Sequence, residues 1–111
     1  MDDFAHPVER ELARVFDQHG VRWEYEPHTF VLERDGDGNV TEAFTPDFFL
    51  PDLGIYVECT VMRQELTRRK RRKARKVHER SGAVVAILFR RDFVRLARRW
   101  GLDRLAAAAG P

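Results

Sequence analysis

A single cysteine, Cys59, leaves no partner for an internal disulfide and no thiol cluster for structural zinc, so the core has to hold the fold. That points to a reducing compartment. Long apolar runs are also missing: the longest, AVVAILF at residues 83–89, is far short of the ~20 residues that cross a bilayer. The opening residues, MDDFAHPVERE, lack the basic and apolar regions of a secretory signal. The expected setting is therefore the cytoplasm, with no membrane partner. The four histidines (His6, His19, His28, His78) are scattered without metal-ligand spacing, which argues against zinc. Lysine is scarce too, at three against 17 arginines, and Lys70, Lys73 and Lys76 all fall in one short stretch.

What is present suits one globular domain over residues 1–111. Domains cluster near ~100–150 residues, and 43% hydrophobic with 11% aromatic side chains is too apolar for a disordered chain. The net charge of +2 conceals a division along the chain. Residues 1–60 carry 4 basic and 14 acidic groups, residues 61–111 carry 16 basic and 4 acidic ones, and ten of the basic groups lie between Arg63 and Arg80. A stripe that dense is an electrostatic footprint for a polyanion, since blocks of like charge repel without a partner.

The periodicity predicts the elements in turn. His6-Pro7 opens a helix with Pro7 at a position where its missing N–H costs nothing, Val8, Leu12, Val15 and Phe16 form its buried stripe, and Gly20 ends it. HTFVLERDGDGNVTEAF reads as a hairpin around a Gly/Asp turn. The alternating oxygens of Asp35, Asp37 and Asn39 imitate a calcium loop, but Val40 stands where that loop needs glycine and Pro46 where it needs glutamate, so a tight turn is the reading. A second hairpin turns at Pro51–Gly54 into the strand 55–61, with Ile55, Val57, Cys59 and Val61 on one face and Tyr56, Glu58 and Thr60 on the other. A charged helix from Gln64 to Arg80 and a fully buried strand at 84–89 complete a βαβ unit with parallel strands. Residues 91–100 and 102–109 are expected to add short helices. The fold class is α/β: an α-β-β-β-α-β core, a mixed sheet flanked by helices, with C-terminal helices.

Glu58 carries the chemistry, because a carboxylate in the middle of a strand is unfavourable without a task. Asp47 lies one tight turn away on the preceding strand, so the two carboxylates face each other across the ladder. Hard oxygen donors held in this way suit Mg²⁺ or Mn²⁺, which bind through one or two carboxylates, waters and phosphate. Pro46-Asp47, then Glu58-x-Thr60, then a basic helix and an apolar strand, resemble the PD-(D/E)XK nuclease superfamily over roughly residues 6–93.

The resemblance implies a restriction-endonuclease-like core and a metal-dependent deoxyribonuclease, with Asp47, Glu58 and Glu9 as metal ligands. A helical wheel places Glu9 and Glu11 equally far from the apolar stripe, so only the family pattern selects Glu9. Thr60 departs from the family, which has a lysine there that orients the attacking water. Lys70 or Lys73 on the next helix is the expected replacement, because Leu66, Lys70, Lys73 and Val77 share a helical face, and Gln64 at the strand–helix junction is a further candidate. Arg63, Arg68, Arg69, Arg71, Arg72, Arg75 and Lys76 are expected phosphate contacts, giving salt-dependent affinity with little sequence information. The expected partner is DNA, which nothing in the sequence separates from RNA, in structure-specific or partner-directed cleavage, with a homodimer or a specificity-giving protein as a further partner. The alternative is a catalytically inactive nucleic-acid-binding module of the same fold, motivated by Thr60.

Overall fold

A computed structural model of the chain describes residues 4, 6–60, 64–89 and 91–92. The expected C-terminal helices, Arg63 and the last residue of the 55–61 strand lie outside the described residues. The elements are α1 (Pro7–Gln18), β1 (Glu24–Tyr25), β2 (Phe30–Arg34), β3 (Val40–Phe44), β4 (Phe48–Leu50), β5 (Ile55–Thr60), α2 (Gln64–Ser81) and β6 (Val85–Phe89).

Two sheets form. β1, β4, β5 and β6 make a mixed four-stranded sheet in that spatial order, antiparallel except for the parallel pair β5–β6, while β2 and β3 pair only with each other. Along the chain, the helices and the main sheet therefore follow the expected α-β-β-β-α-β order, with the β2–β3 hairpin inserted between β1 and β4. The sequence reading differs at one point. It runs the second hairpin directly on from the first, whereas Thr45 and Pro46 break the chain into two strands in separate sheets, and the edge of the main sheet beside β4 is the two-residue β1. Pro46 supplies no N–H for a ladder, which is why pairing stops there.

Helices cover both faces of the main sheet. On one side, Leu12, Ala13 and Phe16 of α1 pack on Phe48, Leu50, Ile55, Val57 and Cys59. α1 begins at Pro7 and ends in a paired cap in which Val21 N–H bonds Phe16 O at 2.8 Å and Gly20 N–H bonds Asp17 O at 3.2 Å. The cap needs a left-handed residue, and Gly20 supplies it at φ 69°. On the other side, Ala74 and Val77 of α2 pack on Leu32 and Phe44 of the hairpin, with Val85 and Ile87 of β6 against them. The hairpin thus seals the edge of the α2 layer. Its tip is a tight turn, as the sequence indicates: the Asp35 carboxylate accepts the Asp37 and Asn39 backbone N–H groups, each at 2.9 Å.

β5 is buried on every residue, so its alternation divides one chemistry from another rather than inside from outside. Ile55, Val57 and Cys59 enter the α1 core; Tyr56, Glu58 and Thr60 lie under α2 and the hairpin. Among the described residues no helix is long and apolar enough to cross a membrane.

Candidate active site

The register of β4 on β5, Phe48 opposite Val57, brings Asp47 alongside Glu58 at the end of the ladder. Each carboxylate accepts a backbone N–H from the other strand. Asp47 N–H donates to Glu58 Oε1 at 3.0 Å, and Cys59 N–H donates to Asp47 Oδ2 at 2.8 Å. Asp47 and Glu58 are both buried, at 9% and 6% exposure, so two carboxyl groups adjoin in a poorly solvated place where ionising both is costly. Burial, then the neighbouring Glu58 charge, pushes the Asp47 carboxyl up to about 8; Glu9 adds to the rise, while the Cys59 N–H and Lys70 oppose it. Burial also raises Glu58, against the pull of Lys70.

Glu9 completes the buried group. It lies one turn before Leu12 and Ala13 on the inward face of α1 and is 3% exposed, with Tyr25 OH donating to Glu9 Oε1 at 2.5 Å. Glu11 is only partly buried. The wheel could not separate the two because its stripe counted Val8 and Val15 with Leu12 and Phe16, whereas the buried face is Glu9, Leu12, Ala13 and Phe16.

A fourth carboxylate, missed in the sequence, belongs here. Glu9, Glu26 and Asp47 each bring one oxygen to within 4.8 Å of the others. Glu26 is fixed by its backbone N–H, which donates to Asp47 O at 2.8 Å, and it holds φ 45°. Left-handed backbone is costly for a residue with a Cβ, and a residue preceding proline ordinarily stays extended. The only available signal was Glu26-Pro27 itself, which reads as an ordinary strand end. Glu58 adjoins this trio without joining it, because its second oxygen faces α2.

There the lysines separate. Lys70 Nζ lies 3.1 Å from Glu58 Oε2 and donates to Cys59 O at 2.7 Å. Lys73 instead donates to Ala43 O on the hairpin at 3.1 Å. The inward line of α2 is Thr67, Lys70, Ala74 and Val77; Leu66, expected on it, is 40% exposed. Thr60 is buried with its hydroxyl 3.5 Å from that of Thr67, and Gln64 is exposed at the first residue of α2. The Cys59 thiol is raised by burial and by the adjacent carboxylates, so it remains protonated and serves as core. Tyr56 is buried, with its hydroxyl 2.7 Å from His28 Nδ1.

The basic helix is not uniform. Arg72 pairs with Glu42 at 2.9 Å, Lys76 with Glu42 at 2.9 Å and Glu33 at 3.1 Å, and Arg80 with Glu33 at 3.1 Å. Two of the expected phosphate contacts, Arg72 and Lys76, are thus occupied within the molecule, because the acidic hairpin packs beside them. Arg68, Arg69, Arg71 and Arg75 are exposed with no acidic partner among the described residues.

No protein-family model, curated protein or solved structure matches this chain at a level that establishes kinship. The functional reading therefore stands on the geometry.

Proposed function

We propose that the chain is a metal-dependent nuclease that hydrolyses DNA phosphodiester bonds, similar in its site to the PD-(D/E)XK enzymes. One observation carries the reading: Lys70 Nζ, coming from α2, lies 3.1 Å from Glu58 Oε2 and supplies the cation that Thr60 does not. The lysine has moved from the strand to the helix above it.

The donor set fits a hard divalent ion. Glu9, Glu26 and Asp47 offer three carboxylate oxygens close enough to share one centre, and oxygen-only donors select Mg²⁺ or Mn²⁺ over softer metals. Such an ion, when bound, polarises a phosphoryl oxygen and lowers the pKa of a bound water. Glu58 holds Lys70 in place by charge, and Lys70 keeps a positive group where negative charge grows on the phosphate. Tyr25 orients Glu9. The exposed arginines of α2 hold the phosphate backbone without reading bases, which matches structure-specific or partner-directed cutting better than recognition of a long sequence.

The test is nicking of supercoiled plasmid in Mn²⁺ or Mg²⁺, read beside DNA binding in the absence of metal. Asp47→Asn and Glu9→Gln are expected to abolish nicking and leave salt-sensitive binding intact. A wild-type protein that binds DNA but cuts no duplex, single-stranded or branched form with either metal is the inactive binding module instead.

A further inference from the structure

Along α2 the basic stripe read from the sequence divides into two different surfaces. Buried Thr67, Ala74 and Val77, with half-buried Lys70 between them, fix which way the helix faces. Arg72, Lys76 and Arg80, spaced i, i+4 and i+8, lie to one side of that line and meet Glu33 and Glu42 of the hairpin. Arg68, Arg71 and Arg75, spaced i, i+3 and i+7, lie to the other side, are exposed, and have no carboxylate partner among the described residues. The hairpin is anchored by buried Leu32 and Phe44, so its carboxylates are held over the first row by the core, not only by the ion pairs.

We infer that the hairpin neutralises one side of α2 and so directs a nucleic-acid backbone onto the Arg68–Arg71–Arg75 row, which is the phosphate track leading into the site. This rests on the nuclease reading and specifies which surface grips the substrate. The row starts at the site. Thr67 and Lys70, on the neighbouring turns, reach Thr60 and Glu58, and Gln64 stands on the same side four residues before Arg68. From Arg68 to Arg75 the helix advances ~10 Å, at ~1.5 Å per residue, and the phosphates of one strand rise ~3.4 Å apart, so the row spans about three of them. Glu79, one turn beyond Arg75, bounds the far end with a repelling charge. On the hairpin side only Arg69 is open, and a phosphate at Arg72, Lys76 or Arg80 has to displace a carboxylate already bound there; a phosphate on the open side displaces only counterions. That difference gives the track its position.

The experiment is the salt dependence of binding to a short DNA duplex in EDTA, read by fluorescence anisotropy, with circular dichroism to confirm folding. Each phosphate contact contributes a slope of about −0.9 in log affinity against log salt. The triple variant R68A/R71A/R75A is expected to flatten the wild-type slope by about 2 to 3. E33Q/E42Q, which frees Arg72, Lys76 and Arg80 without removing a cation, is expected to steepen it. A triple variant that keeps the wild-type slope overturns the inference while leaving the nuclease reading standing, and so does an E33Q/E42Q protein whose slope is unchanged. Wild-type protein with no salt-dependent DNA affinity overturns both.

Discussion

Lys70 and Lys76 leave the same helix to meet a glutamate, and the two pairs are opposite in kind. Half-buried Lys76 joins exposed Glu33 and half-buried Glu42, where solvent still reaches and the added cations hold both carboxyls below their ordinary range. Lys70 joins a Glu58 that burial has already raised, beside an Asp47 pushed up to about 8. In the first pair the charges settle one another. In the second, one cation does not offset burial and the adjoining carboxylates, so Asp47 holds its proton through neutrality. Perturbation of this kind, from burial together with specific charge partners, is what marks functional sites. The divalent ion of the proposed function would take the place of that proton.

The most severe way to break the contrast is at Lys70. Lys70→Met is expected to lower Mn²⁺-supported nicking by about 10²–10⁴-fold, the usual scale for a positioned proton-handling or charge-stabilising group. Lys70→Arg is not expected to restore it, since a planar fork does not reproduce a point charge held between Glu58 Oε2 and Cys59 O. Lys73→Met, which loses a bond to Ala43 O and an attraction to Glu42 away from the site, is expected to cut at near the wild-type rate. Equal losses from Lys70→Met and Lys73→Met would show that general helix charge, not the Lys70 position, drives the reaction.

The pH dependence of folding sharpens the same contrast. Asp47 has a folded-state pKa of about 8 against an ordinary 3.8, so the metal-free protein binds more protons than its unfolded chain across that interval. The contribution is fully present below the ordinary value and is lost as pH rises through about 8. Glu58 acts with the same sign. Thermal unfolding in EDTA should therefore fall as pH rises over this window, and Asp47→Asn should flatten the fall. Added Mn²⁺ should raise Tm more at the alkaline end, where the carboxylates are ionised without cost to the ion. A Tm that rises with pH in EDTA would contradict the buried pairing of Asp47 with Glu58.

How much of this was legible depends on whether the signal was local. The pairing of Asp47 with Glu58 could be read because a strand alternates with period two and a tight turn joins the two strands. The parallel β5–β6 pair followed from the strand, helix, strand order. Glu26 was invisible, because nothing in Glu26-Pro27 announces a left-handed φ; that conformation comes with its N–H bond to Asp47 O, a tertiary contact. The division of the basic helix was invisible for a related reason. Arg72 and Arg75 are the same residue type on the same helix, and only the docking of a hairpin from some 30 residues upstream sets them apart. Lys70 and Lys73 likewise shared a face on paper until Ala74 and Val77 fixed the rotation of α2.

The smallest effects should come from the surface pairs, and their character is as informative as their size. Exposed ion pairs lose much of their attraction to side-chain entropy and to salt. Lys76→Met or Glu42→Gln should lower Tm slightly in dilute buffer, and the difference should vanish near 1 M salt, where the screening length is only ~3 Å. The signs also differ from those at the site. Glu33 and Glu42 are lowered, so their contribution is present above the ordinary 4.5 and is lost as pH falls through their folded values. Lys76 is raised, so its contribution is present below the ordinary 10.5 and fades only as pH climbs through its folded value. Between those limits the network is constant while Asp47 titrates. The Tm-versus-pH profiles of wild type and Glu42→Gln should therefore run parallel through neutrality, whereas Asp47→Asn changes the slope itself. Profiles that diverge near neutral pH for Glu42→Gln would mean that the hairpin carboxylates and the buried site titrate as one system, and that the two lysines are not serving separate ends.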